Sequence, residues 1–246
     1  MQRFFVKEDA INGDTVRLEG DDARHISFSL RMKRGDRISV CAPDGSLYTC
    51  RLSAFGEGYV EAVVEERSAC DTEPPYRVRL YQALPKGDKL ETIVQKAVEC
   101  GVYEIIPFES RNCIAKTGNN PEKKLERLNR IAAEAAKQCG RGIQPQVLPT
   151  RSFRQMLREA GEAALPLFCY EGEGTVPLGA LLKGCQREIA VVVGSEGGFT
   201  PEEVEEARAA GLRLCGLGPR ILRCETAPVF VLSCLSLSRE LTPYEA

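Results

Sequence analysis

The spacing of apolar and polar positions divides the chain near residue 70. Before it, short runs at residues 4–6, 15–18, 37–41, 47–52 and 59–65 are rich in β-branched, aromatic and alternating positions and predict strands. Asp44-Gly45, between two of them, is a hairpin signal. Residues 21–30 predict one short helix, with Ala23, Ile26 and Leu30 on a common face. Several short strands punctuated by turns predict a small β-barrel. Residues 68–76 carry Asp71, Glu73, Pro74 and Pro75 and predict a linker, because adjacent prolines oppose both helix and central strand. The expected domains are residues 1–70 and 76–246.

Beyond the linker the period changes. Residues 76–83 predict a strand, and Asp88 then opens a helix as its N-cap with Glu91 three positions on. That helix carries Leu90, Ile93, Val94, Ala97 and Val98 at i, i+3, i+4, i+7 and i+8, and Gly101 ends it. A strand is expected at 102–108. Asn120-Pro121 then opens a helix whose inner face is Leu125, Leu128, Ile131, Ala132, Ala135 and Ala136. Another helix starts at Thr150 or Ser152, a strand follows at 165–170, and a short helix spans 177–182. Ile189, Ala190 and three consecutive valines form a run suited to a strand covered on both faces. This alternation predicts the α/β class: a mostly parallel sheet with helices on both faces.

The valine strand runs into Gly194-Ser195-Glu196-Gly197-Gly198-Phe199-Thr200-Pro201-Glu202-Glu203. Thr200 is the expected N-cap, Pro201 the first helical residue and Glu203 the reciprocal capping acid. The glycines permit positive φ and close approach of a ligand or another backbone. A second such run, Leu217-Gly218-Pro219-Arg220-Ile221-Leu222-Arg223-Cys224-Glu225-Thr226-Ala227, joins a strand at 212–217 to an apolar helix at about 226–237. Pockets at the carboxyl ends of parallel strands are where open α/β sheets bind ligands. Neither run is a phosphate loop: no Gly-Lys-Ser/Thr follows, and Glu196 would repel a pyrophosphate. A neutral or cationic ligand fits better, and S-adenosylmethionine, with a sulfonium and no phosphate, meets that demand. The alternative is a tight strand-to-helix turn with no ligand.

Composition adds limits. A chain of 246 residues with 43% hydrophobic and 28% charged residues falls in the ordinary globular range. No apolar run reaches membrane-spanning length and no signal-peptide core precedes the first strand, which leads us to expect a cytoplasmic protein. The eleven cysteines are scattered and His25 stands alone, so no metal site is expected, and the thiols are expected to be reduced, buried packing residues. Net charge is −2, yet Arg24, Arg31, Lys33, Arg34 and Arg37 cluster, as do Lys116, Lys123, Lys124, Arg127, Arg130, Lys137 and Arg141. Such clusters are either solvated faces or phosphate-contacting surfaces. His25 is either a structural residue or an RNA contact.

Taken together these residues resemble the RsmE family, which methylates N3 of a uridine in small-subunit ribosomal RNA with S-adenosylmethionine and belongs to the SPOUT class. The two glycine runs at 194–203 and 217–227 are similar to its signature loops. Arg24-His25-Ile26 with Leu30-Arg31-Met32-Lys33-Arg34-Gly35-Asp36, residues 89–102, and Glu134, Ala135, Gln138 and Arg141 match further family patterns. Ser27-Phe28-Ser29, in place of a more aliphatic stretch, and Cys224, where threonine is common, depart from it. The resemblance implies a PUA-like RNA-binding barrel, a SPOUT sheet with a C-terminal trefoil knot, and a homodimer. It implies a cofactor pocket of Phe168, Tyr170, Glu171, Val193, Gly194, Glu196, Gly197, Gly198, Leu217, Gly218, Ile221, Leu222 and Thr226. RNA contacts are expected at Arg24, His25, Arg31, Lys33 and Arg34.

Methylation at N3 requires loss of the N3 proton, so a cation beside the base would assist. Arg223 and Arg220 are the candidates, with Glu225 as base or as a group orienting an arginine. The alternatives are a surface residue or a phosphate contact for Arg220 and a structural ion pair between Arg223 and Glu225. Methylation of another RNA site, or RNA binding without catalysis, are the competing functions.

Overall fold

The computed structural model describes residues 1–118, 120–184 and 186–241. It separates into two compact units: Met1–Glu73 with Ala136–Gln144, and Pro74–Ala135 with Pro145–Ala246.

The first unit contains β1 (Gln2–Phe5), β2 (Ile11–Asn12), β3 (Thr15–Glu19), α1 (Gly20–Arg24), β4 (Arg37–Cys41), β5 (Ser46–Gly56) and β6 (Tyr59–Ala69). The strands form one sheet in the order β1-β4-β5-β6-β3-β2. β1 runs parallel to β4 and the other pairs are antiparallel. Among the described residues the ladder runs from β1 to β2 without joining them, so the expected barrel is not closed by hydrogen bonds. Two-residue periodicity builds its core: Val16 and Leu18, Cys50 and Leu52, and Val60 and Ala62 point inward with Phe4, Ile38 and Val40.

The helix expected at 21–30 is interrupted. After α1, residues His25–Ser29 form a π turn closed by the Leu30 N–H donating to the His25 carbonyl at 2.9 Å. The wider turn shifts the angular spacing of the side chains. Ala23 and Ile26 stay buried while Leu30 rotates outward. The segment expected as a linker is part strand, since β6 continues to Ala69.

The second unit contains β7 (Arg77–Ala83), α2 (Lys89–Glu99), β8 (Glu104–Glu109), α3 (Pro121–Cys139), β9 (Gln146–Val147), β10 (Arg151–Ser152), α4 (Phe153–Gly161), β11 (Leu165–Cys169), β12 (Val176–Pro177), α5 (Leu178–Leu181), β13 (Glu188–Val193), α6 (Pro201–Ala209), β14 (Arg213–Gly216) and α7 (Thr226–Ser236). The last residues of α3 cluster with the first unit. The sheet order is β10-β8-β7-β13-β11-β14-β12, with β9 paired to β8, and every pair is parallel. β11 is buried throughout and β13 from Ile189 onward, as covered strands in a parallel sheet must be. α4 packs on β7, β8 and β13, and α7 on β13 and α2.

Ser152, rather than Thr150, caps α4 with Gln155 as reciprocal partner. Asp88 stands at the N-cap of α2 but makes no side-chain cap. Its φ of −90° and ψ of 8° lie outside the extended region from which a side chain reaches back to the helix amides. The ten described cysteines are free thiols. Contrary to the expected uniform burial, Cys139 is exposed and Cys70, Cys100 and Cys234 are half-buried, while Cys185 lies outside the described residues.

Candidate active site

β13, β11 and β14 are successive parallel neighbours, so their carboxyl ends stop at one edge of the sheet. The loops leaving them converge on a cavity of about 250 Å³. Tyr170 and Glu171 after β11, residues 193–196 with Gly198 and Phe199 after β13, and residues 217–218 and 220–224 after β14 line it.

The first glycine loop is held from three sides and by a turn of its own. Phe199 is sunk into an aromatic cluster, 4.2 Å from Phe168 and 6.4 Å from Phe108 between ring centroids. Its ring passes so close to Gly194 that a Cβ there would lie 3.1 Å from Phe199 Cε2, which leaves glycine as the fitting residue. Gln82, fully buried on β7, donates to the Gly194 carbonyl at 3.2 Å, and Asn112 donates to the Gly197 carbonyl at 2.9 Å. Gly198 has φ +59°, and its N–H closes a turn on the Ser195 carbonyl at 3.0 Å.

The loop then enters α6 through the expected capping box of Thr200 and Glu203. Glu203 is fully buried and serves twice. One oxygen accepts the Thr200 N–H at 3.0 Å and the other the Arg111 N–H at 2.7 Å. The Ser195 hydroxyl is buried without a partner.

The charges in the cavity follow a pattern that local sequence did not show. Lys89, from the first turn of α2, reaches Glu196 of the first loop at 2.8 Å and Glu225 of the second at 3.3 Å. The Glu196 carboxylate also accepts the Lys86 N–H at 3.2 and 3.3 Å. Burial pushes the Glu196 carboxyl up, but Lys89 and the backbone amides outweigh it and leave the group below its usual range. Burial likewise pushes Glu225 up, and the Cys224 thiol and Lys89 outweigh that as well. Hydrogen bonding to Glu196, aided by Glu225, raises the Lys89 ammonium against the opposing effect of desolvation. The Cys224 thiol, pushed to about 12 mainly by burial, stays protonated and donates to Glu225 at 3.2 Å. It is a hydrogen-bond donor in this arrangement, not a nucleophile.

Arg220 and Arg223 line the cavity, both exposed, and among the described residues neither guanidinium makes an ion pair or hydrogen bond. The second loop is instead closed by its backbone, with the Thr226 and Ala227 N–H groups donating to the Arg223 carbonyl at 2.8 and 3.0 Å. The expected alternative of an Arg223–Glu225 ion pair is therefore corrected: the cationic partner of Glu225 is Lys89.

Of the expected cofactor residues, Tyr170, Glu171, Val193, Gly194, Glu196, Gly198, Leu217, Gly218, Ile221 and Leu222 line the cavity. Phe168, Gly197 and Thr226 do not. Phe168 is fully buried behind Phe199 and Gly197 faces Asn112. Thr226 contributes its backbone to the second loop. Glu225 does not line the cavity directly and joins it through Lys89. Cys169 and Ser195, inside the expected stretches, line it too, and the cavity adds Lys89, Phe199, Cys224 and Ala227, which sequence reasoning did not select. Lys89 opens a plain amphipathic helix, and only its fold neighbours reveal it.

In the first unit, Arg24, Arg31, Lys33 and Arg34 are exposed and His25 is half-buried, edge-on to Phe4 with 6.5 Å between ring centroids. Arg24 pairs with Asp21. Among the described residues no group of three or more metal-ligating side chains forms, and no helix is long and apolar enough to cross a membrane.

A parallel sheet with a glycine-loop cavity at its strand ends, in a chain that also holds a small β unit, defines a class, and comparison with known proteins specifies it. Residues 72–236 match the RNA methyltransferase domain and residues 18–65 the RNA methyltransferase PUA domain. The chain is 36% identical to the ribosomal RNA small subunit methyltransferase E of Bacillus subtilis, covering 98% of both chains. It is 32% identical to that of Synechocystis, covering 94% of this chain and 76% of the other. The solved structure of a ribosomal RNA small subunit methyltransferase E from Neisseria gonorrhoeae, bound to S-adenosyl methionine, superposes with a TM-score of 0.85 at 32% identity, covering 96% and 97% of the two chains. The chain belongs to the ribosomal RNA small subunit methyltransferase E family.

Proposed function

We propose that this chain methylates N3 of a uridine in small-subunit ribosomal RNA, taking the methyl group from S-adenosylmethionine bound in the cavity at the ends of β11, β13 and β14. The residues present suit that donor. Backbone groups of three glycine-containing loops offer neutral hydrogen-bond partners, Ser195 holds an uncommitted hydroxyl, and Glu196 and Glu171 favour a cation over a phosphate. When bound, the donor supplies an electrophilic methyl group.

The observation that carries the reading is the contrast between committed and free charge. Lys89 is shared between Glu196 and Glu225, which leaves that cluster net negative, whereas Arg220 and Arg223 stand unpaired on the cavity wall. Arg223 stabilises the negative charge that develops on the uracil oxygens as the N3 proton leaves, and Arg220 holds the base or its phosphate. Glu225, kept ionised, is the carboxylate the second loop supplies as proton acceptor. Positioning of the base against the methyl group supplies the rest of the rate.

Exposed cations of the first unit, Arg24, Arg31, Lys33 and Arg34, together with His25, contact the RNA backbone. The second unit carries its C-terminal helix through a trefoil knot, the enzyme acts as a homodimer, and it works in the cytoplasm on ribosomal RNA. The deciding measurement is mass mapping of methylated nucleosides in ribosomal RNA from a deletion strain. N3-methyluridine disappears from the small subunit and returns on complementation; its persistence in the deletion strain overturns the assignment.

A further inference from the structure

The π turn that breaks the helix in the first unit has a second effect. It turns Phe28 outward, 76% exposed, beside Leu30 at 37%. The turn itself is fixed, because Ala23 and Ile26 are buried on its inner side and the Met32 N–H donates to the Ile26 carbonyl at 3.0 Å. Arg31 follows with φ +51°, the sole non-glycine residue at positive φ among the described residues. Side chains avoid that region unless the surroundings impose it, and such outliers cluster where a surface is used.

Arg31, Lys33 and Arg34 are all exposed, and among the described residues their side chains make no ion pair. The nearby acids are otherwise engaged: Asp36 accepts the Lys33 backbone N–H at 2.7 Å and Asp21 pairs with Arg24. The segment thus carries one exposed aromatic side chain and, three to six positions further on, three uncommitted cations.

We propose that Phe28 is a stacking platform for an unpaired base of the RNA substrate, with Arg31, Lys33 and Arg34 on the flanking phosphates; this rests on the reading of the first unit as an RNA contact. An apolar protein surface is a poor partner for this patch, since covering Phe28 would desolvate three unpaired cations. A duplex is also a poor partner, because its bases are already stacked on one another. Single-stranded RNA offers both a free base face and phosphates, the combination that aromatic and basic residues together recognise.

The chain contains no tryptophan, so Phe28→Trp introduces a single tryptophan at the site, which can be excited apart from the seven tyrosines. In the full-length protein its emission should be quenched by a short single-stranded oligouridylate and not by the same strand paired with oligoadenylate. Phe28→Leu should bind the single strand about tenfold more weakly, which is about 1.4 kcal/mol, with an unchanged salt slope and an unchanged unfolding temperature. Charge reversal at Arg31 and Lys33 should instead lower the slope of log K against log salt. Wild-type affinity in Phe28→Leu, or equal quenching by duplex and single strand, overturns the platform. So does a Phe28→Leu variant whose sedimentation changes while its RNA affinity does not, because Phe28 then faces protein. If the slope falls in the charge-reversal variant while Phe28→Leu binds normally, only the platform fails. An unchanged slope removes the RNA-contact reading itself.

Discussion

A Cβ at Gly197 would lie 2.9 Å from Asn112 Cβ and 3.0 Å from the Asn112 carbonyl oxygen, so this position answers to a neighbouring loop and not to a ligand. Gly197→Val must push that loop aside and break the Asn112–Gly197 hydrogen bond. Overpacking of this kind costs about 1–3 kcal/mol. Transmitted through the loop, it should weaken S-adenosylmethionine binding about tenfold in calorimetric titration; normal affinity would show that the loop does not shape the pocket. Arg223 makes the opposite test. Because its guanidinium makes no ion pair or hydrogen bond among the described residues, Arg223→Ala should leave donor affinity nearly unchanged while turnover on ribosomal RNA falls by roughly 10²–10³, the usual effect of removing one charge-stabilising donor. Loss of donor binding in that variant would assign the arginine to the cofactor instead of the uridine. Both loops were visible in the sequence because glycine, proline and arginine mark them locally. Lys89 was not, since its partner Glu196 lies 107 positions away and nothing in the amphipathic pattern of α2 sets it apart.

Helix starts show where local rules suffice. Thr200, Pro201 and Glu203 form a self-contained motif within four residues, and the structure realises it. Asp88 carries similar chemistry but a different backbone, and φ and ψ at one residue are decided by the chain on either side. The π turn at His25–Ser29 was equally hidden, because the buried residues Ala23 and Ile26 satisfy an ordinary helical spacing up to the point where the turn widens. The first turn of α2 has an importance beyond its own packing. By bridging Glu196 and Glu225, Lys89 ties the loop after β13 to the loop after β14. Lys89→Met should leave two neighbouring carboxylates without their common cation. Amide exchange in residues 194–199 and 217–227 should rise in the ligand-free protein, and donor affinity should fall several-fold, with Lys89→Arg restoring part of both. Unaltered exchange in Lys89→Met would mean that the loops are held by their backbones alone.

Across the whole molecule, strand and helix alternation made the parallel sheet legible, but not its order. β13 lies between β7 and β11 because of packing between distant segments, which no local pattern records. The return of residues 136–144 to the first unit was hidden for the same reason. It brings Arg141, almost fully buried, onto Glu73, with the closest oxygen at 2.7 Å and the Gly142 N–H on the same carboxylate at 2.7 Å. Burial pushes Glu73 up, but Arg141 and the backbone amides outweigh it, so its folded value lies below the ordinary 4.5. A lowered carboxylate stabilises the fold above about 4.5, and that contribution is lost as pH falls through the folded value. Glu73→Gln should therefore cost about 3 kcal/mol near neutrality, because it leaves the buried Arg141 without its half-buried counter-ion, and the gap to wild type in urea unfolding should narrow in acid. A gap independent of pH would refute the ion pair as its source. The parallel sheet has one more property, set at its margins. It ends in the two-residue strands β10 and β12, and β12 carries Pro177, which has no N–H to donate. Long bare strand edges invite foreign chains to pair with them, and edges this short offer little to copy. The sheet is therefore built to resist edge-to-edge aggregation, and lengthening β12 by replacing Pro177 is where that resistance would first be lost.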